Sequence, residues 1–312
     1  MIRHIPALLG ILLLQVLLIG LLSLSASDDD GAERFLTFDP AAVTELTISD
    51  AAGGSVILSR ADAGWQLAAG SSAVALPADD GKISAVLESL TEGTATWPVA
   101  TSANSQERFQ VTAEDHQRQL RIASAEGPLA EIYLGTSPGF RRVHARAADE
   151  EAVFSIDFAV HEVPTDPSDW LDKKLLQTEA INRISSVDGR LLTRDSSGEG
   201  WLLDGRPADT EAADRFVERV GKLTVLGLYQ GTEEAQSTLG DARTIVFEDG
   251  RGSARLTFRH DEEADEYQLT TDRLEGRFIV ASYLAEQILI DGDDLLPAVE
   301  PPAAAVETDG TP

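Results

Sequence analysis

Cysteine is absent from the 312-residue chain, which removes disulfides, thiolate nucleophiles and zinc–thiolate centres together. A body exported without disulfides must hold itself together by core burial alone. Cations are scarce: 25 Lys and Arg face 53 Asp and Glu, for a formal net charge of −28. Such a surface repels phosphate backbones, so nucleic acid is not an expected partner. The same charge argues against a polybasic grip on anionic lipid. Lysine is scarcest of all, at Lys82, Lys173, Lys174 and Lys222. The arginine bias and the acidity read as features of genome and solubility, such as a salt-adapted source would show. Hydrophobic residues still make up 43% of the chain and are spread throughout, as in a globular protein.

Against that background one apolar run stands out, from Ile5 to Ser27, flanked by Arg3 and His4 before it and by Asp28, Asp29 and Asp30 after it. The twenty residues Ile5–Leu24 would span about 30 Å as a helix, the thickness of a bilayer's hydrocarbon core. The charge asymmetry puts the N-terminus in the cytoplasm and the rest of the chain on the far side of the membrane. A cleaved signal peptide is the alternative, with Ser25-Ala26-Ser27 as a tolerable cleavage site. The run is longer than the usual apolar region of a signal peptide, which favours an uncleaved anchor.

The remainder of the chain says one thing twice. Val43–Ile48 alternates apolar and polar residues, as a strand buried on one face should, and Ile181–Val187 resembles it. A second strand-like run follows each, Ser55–Arg60 and Arg190–Arg194, and then a Gly-Trp step, Gly64-Trp65 and Gly200-Trp201. Pro77-Ala78-Asp79 and Pro207-Ala208-Asp209 come next, where Asp79 and Asp209 are suited to cap helices. The helices carry apolar stripes, Ile83, Val86, Leu87 and Leu90 in one and Phe216, Val217, Val220 and Leu223 in the other. Further strand-like segments close each unit. The expectation is an α+β chain: an N-terminal transmembrane helix (1–27), then two tandem related units (34–165 and 166–298), each an antiparallel-rich sheet packed on a helix. A disordered Pro/Ala tail (299–312) is expected to follow.

Catalytic chemistry is thin. Gly135-Thr136-Ser137-Pro138-Gly139 has the form of a nucleophile elbow, but the residue after the serine must donate its N–H to an oxyanion, and Pro138 has none. The segment reads as a hairpin turn. The histidines form no metal-binding pair, and Asp291–Asp294 lacks the spacing of a calcium loop. Asp261–Glu266 reads as a solvated hairpin tip. No glycine-rich phosphate loop opens a helix. Catalytic, cofactor and metal residues are therefore each expected to be none. The one candidate binding face is Arg142, His144 and Arg146, alternate residues of a strand that would form an anion-binding row; an exposed polar face of an edge strand is the favoured explanation of the three.

The connector Asp169-Trp170-Leu171-Asp172-Lys173-Lys174-Leu175-Leu176, the Ile181-x-x-Ile184 strand and the Gly200-Trp201 step resemble the bacterial family of domain of unknown function 4340. The Leu134-Gly135 turn before an Arg-bearing strand and the N-terminal apolar segment are similar to it as well. The resemblance implies a single-pass inner-membrane protein with a periplasmic body, associated with ABC-type transport systems of the gliding-motility kind, and it brings no catalytic residues. The expected function is thus a non-catalytic, membrane-anchored accessory or binding subunit whose partners are an ABC transporter permease or accessory subunits. The alternatives are an independent glycan- or peptidoglycan-binding module of the envelope, and a hydrolase with an unrecognised site.

Overall fold

The computed structural model describes residues 15, 33–68, 75–95, 97–231 and 236–297. Two short strands, β1 (Glu33–Arg34) and β6 (Thr94–Ala95), pair with each other. The first sheet has eight strands: β2 (Val43–Ser49), β3 (Ser55–Ala61), β4 (Gly64–Ala68), β5 (Ala75–Pro77), β7 (Arg118–Ser124), β8 (Gly127–Leu134), β9 (Val143–Ala147) and β10 (Phe154–Ile156). The second has nine: β11 (Arg183–Ser185), β12 (Leu191–Arg194), β13 (Trp201–Leu203), β14 (Arg206–Pro207), β15 (Gly227–Leu228), β16 (Arg243–Asp249), β17 (Gly252–Asp261), β18 (Glu266–Thr271) and β19 (Phe278–Ala281).

Period-two burial produces these strands. In β16, Ile245, Phe247 and Asp249 point inward. β2 buries Val43, Leu46 and Ile48, an uneven spacing that a bulge explains. Its register against β7 shifts between Val43 and Glu45, so Thr44 is the extra residue and Val43 returns to the core face. The helices α1 (Asp80–Glu92), α2 (Ala103–Phe109), α3 (Thr210–Gly221) and α4 (Ser282–Ile288) are short. α1 buries Ile83, Val86, Leu87 and Leu90 along one stripe. Asp209 caps α3 by accepting the Ala212 N–H at 2.9 Å.

Along the first sheet the order is β5-β4-β3-β2-β7-β8-β9-β10, and along the second β14-β13-β12-β11-β16-β17-β18-β19-β15. Strand by strand the two orders are the same, with β15 added at the far end of the second. In both, successive hairpins step outward from the first strand. The chain then crosses through a helix and returns to pair on that strand's free edge, β7 on β2 and β16 on β11. By their contacts, residues 33–60 and 81–165 form one compact unit, and residues 61–80 and 166–297 the other. Each has its own core, with Leu46, Ile122 and Ile132 in the first and Trp170, Trp201, Phe216 and Phe258 in the second.

The expected α+β architecture behind a membrane-spanning helix is corrected by these observations. Among the described residues the chain is mostly antiparallel sheet with four helices of 7 to 13 residues, and no helix is long and apolar enough to cross a membrane. Apolar residues that recur at every second position are buried by strands, which leaves each helix a single stripe to contribute. Apart from residue 15, the segment Ile5–Leu24 lies outside the described residues, as does the tail 299–312.

Candidate functional site

The three residues picked from sequence are consecutive alternate positions around β9, and the fold buries two of them. β9 lies between β8 and β10, not at the sheet edge. Arg146 is buried, and its Nε donates to the Val111 carbonyl at 2.7 Å. Its Nη1 donates to the carbonyls of Ala147, Ala148 and Glu150 at 3.1, 3.2 and 2.9 Å, and the guanidinium lies over the Tyr133 ring at 5.0 Å. The cation therefore serves as a clamp for passing backbone. His144 is buried against Phe109, ring centroids 4.1 Å apart, with Nδ1 2.9 Å from the Thr136 hydroxyl. Burial pushes its pKa down, so the ring is neutral near pH 7. Arg142 alone stays exposed, with its Nη2 donating to the Ser155 carbonyl at 2.9 Å and its Nε 3.6 Å from Asp157.

The serine of the elbow-like motif is similarly occupied. Ser137 Oγ lies 2.7 and 2.6 Å from the carbonyls of Gly139 and Arg142 and closes the turn between β8 and β9. Gly135 is needed there, because a Cβ would overlap the Phe109 and Gln110 carbonyls. Asp293, in the C-terminal acidic cluster, pairs with Arg190 at 2.6 Å. Among the described residues no group of three His, Asp or Glu is placed to hold a metal.

What sequence reading passed over is a cleft of 490 Å³ in the second unit, beside β15, β18 and β19. Its residues come from Asp166 to Ile279, so no local motif announces it. The connector builds one wall. Trp170 is fully buried, and its carbonyl accepts the Asp79 N–H at 2.8 Å. The Lys173 ammonium donates to the carbonyls of Ser168 and Leu226, and Ser168 Oγ accepts the Leu228 N–H at 3.0 Å. These bonds fix the 166–168 turn against β15.

Tyr229, Tyr267, Gln230 and Gln268 contribute to the lining of this cleft, together with carboxylates. Asp166, Asp261 and Glu266 line it, and among the described residues no lysine or arginine does. Tyr229 donates to Asp261 at 3.4 Å, and burial together with that carboxylate raises its pKa, which keeps the phenol protonated. Gln230 donates to Asp166 at 3.3 Å. Gln268 is 6% exposed and its Nε2 has no hydrogen-bond partner, so the cleft carries an unspent donor. A Cβ at Gly231 would overlap the Tyr229 ring, so glycine there sets the ring's position. This chemistry suits a neutral or cationic ligand rich in hydroxyl or amino groups and rejects an anion.

A second groove, of 660 Å³, runs past Thr178, Val217 and Asp249. Its carboxylate is already satisfied. Asp249 accepts a two-pronged bond from Arg273 at 2.7 and 2.8 Å, a bond from the Thr178 hydroxyl and the Arg251 N–H at 2.8 Å. The Arg273 bond foremost holds the carboxyl far below the usual carboxylate range. This groove is a structural junction.

Residues 71–241, more than half of the chain, match the family described as Domain of unknown function (DUF4340). The chain belongs to this family. The DUF4340 match includes the connector, the Gly200-Trp201 strand and the first part of the cleft wall, from Asp166 to Gly231. No curated protein and no solved structure matches the chain.

Proposed function

We propose that the chain is a non-catalytic binding body that serves an ABC-type transport system from the periplasmic face of the cytoplasmic membrane. The observation that carries this reading is the cleft, with its preset hydrogen-bonding groups, tyrosines and carboxylates. The family resemblance and the apolar segment Ile5–Leu24 support the location. The partners are the system's permease or accessory subunits. Strand addition is the less favoured mode of contact, because the outermost strands β5, β10, β14 and β15 have only two or three residues, and β5 and β14 include Pro77 and Pro207. The test is affinity purification of the tagged full chain from native membranes in mild detergent. Permease or ATPase subunits should co-purify, and deletion of the chain should impair transport. A chain that retains no transporter subunit, beside a transporter that works without it, overturns the reading.

The lining of the cleft also favours an envelope glycan as the bound molecule, since tyrosine faces with amide and carboxylate partners suit sugar hydroxyls. Retention on isolated peptidoglycan, weakened by Tyr229→Ala, would support this second reading, and retention unchanged by that substitution would count against it.

A further inference from the structure

The turn between β8 and β9 has a use beyond closing a hairpin. It lifts Phe140 to 93% exposure, the highest of the large apolar residues among those described. A single exposed apolar side chain is ordinary on a protein surface. This one sits on a pinned support, with Ser137 Oγ bonded to two turn carbonyls and Arg142 N–H donating to the Gly139 carbonyl at 3.3 Å. The neighbouring Arg141 is held at a φ of 51°, in the left-handed region. The side chains of Arg141 and Arg142 are 67% and 46% exposed, tied only by long pairs to Glu162 (3.8 Å) and Asp157 (3.6 Å) and, for Arg142, by the Ser155 carbonyl.

The surrounding sequence sharpens the contrast. From Ile132 to Ala148 there is no acidic residue, in a chain that has 53 acids in 312 positions. A second exposed aromatic belongs to the same unit. Trp97 is 79% exposed on a segment that runs antiparallel beside residues 153–156, through the Ala100–Val153 bridge and the Val99 N–H to Val153 carbonyl bond. That direction carries Trp97 toward the Ile156–Val143 end of β10 and β9, where the turn begins.

We propose that the Phe140-Arg141-Arg142 tip is a contact point for an anionic lipid surface. Phe140 would enter the boundary of headgroups and acyl chains while the two arginines meet lipid phosphates, with Trp97 as an interfacial flank. The net charge of −28 opposes any broad approach to such a surface. That leaves a projecting tip with no acid of its own, its two arginines meeting Glu162 and Asp157 only at 3.8 and 3.6 Å, as the part suited to touch it, since repulsion from the body is screened within about 8 Å at physiological salt. The tip would then set which side of the body faces the bilayer. This inference rests on the membrane-side location proposed above.

The absence of cysteine supplies the test. A Phe140→Cys variant of the full chain, labelled with an environment-sensitive dye, is mixed with phosphatidylcholine vesicles with or without phosphatidylglycerol and with brominated lipid as quencher. A Leu129→Cys label is the control, exposed on the same β8 strand and about 17 Å from its Leu134 end. The expected result is a blue shift and quenching at position 140 in anionic vesicles, none at 129, and loss of the effect on Arg141→Gln/Arg142→Gln. At roughly fivefold per arginine, the double substitution should weaken contact by about 25-fold. No quenching at 140, or equal quenching at both sites, overturns the inference. So does protection of the 140 label by a protein partner without quenching by lipid, which would make the tip a protein contact. Fractionation of cells separates the two readings: a chain absent from the membrane fraction ends the location, while the vesicle result judges the tip.

Discussion

Replacing Arg273 with methionine should destabilise the second unit by about 3 kcal/mol at pH 7. The Asp249 side chain is 1% exposed, and Arg273, its nearest cation, bonds it with both prongs. Breaking a buried pair by removing one partner costs about 3–5 kcal/mol, because a carboxylate is left uncompensated. The low end applies, since the Thr178 hydroxyl, the Arg251 N–H and the exposed Arg251 guanidinium, 3.7 Å away, all remain. The pH dependence has a definite sign. The folded pKa of Asp249 is depressed, so its contribution is fully present above the unfolded value of about 3.9 and is lost as pH falls toward the folded one. The gap between wild type and Arg273→Met should therefore narrow as the solution is acidified below about pH 4. Urea denaturation across pH measures it, with hydrogen exchange of the β16–β17 amides as the local readout. Arg273→Met combined with Asp249→Leu should recover most of the loss. A cost under about 1 kcal/mol, or a double variant no better than the single one, would refute the assignment of this pair as a buried and coupled ion pair.

Two further outcomes test the packing of each unit. His144 has a folded pKa below its ordinary value, so stability present above about pH 6.5 should be lost as pH falls through the folded value; in His144→Asn that part of the slope between pH 7 and 5 should vanish in equilibrium denaturation. Gly231→Ala should displace the Tyr229 ring and cost about 1–3 kcal/mol in thermal or urea unfolding, and a neutral substitution would show that the ring has room to move.

Much of the secondary structure was legible in the sequence. Alternation marks β2, the spacing of Ile83, Val86, Leu87 and Leu90 marks α1, and Asp209 before an apolar stripe marks the start of α3. The two Gly-Trp steps also lie where strands bury Trp65 and Trp201. These signals are local: they depend on which face of an element a side chain occupies, and three or four neighbouring residues suffice to reveal it. The fate of Arg146 was not legible. Its alternate spacing with Arg142 and His144 is correct for one strand face, but whether a face is free depends on what crosses it. Here Val111 and Ala148, distant or beyond the strand, bring carbonyls to the guanidinium.

The candidate site was less visible still. Its lining is drawn from four separate stretches between Asp166 and Ile279, and each contributing residue is unremarkable in its own segment. Asp249 and Arg273 are 24 positions apart and read as two more members of a large charged set until β16, β17 and the turn after β18 bring them together. The sequence alone determined which residues seek burial, because hydrophobic periodicity is a property of neighbours along the chain. Only the tertiary structure decided which polar groups are consumed by the fold, like the Arg146 guanidinium, and which, like the Gln268 amide, are left without a partner, because that depends on chain segments that meet in space and not in sequence.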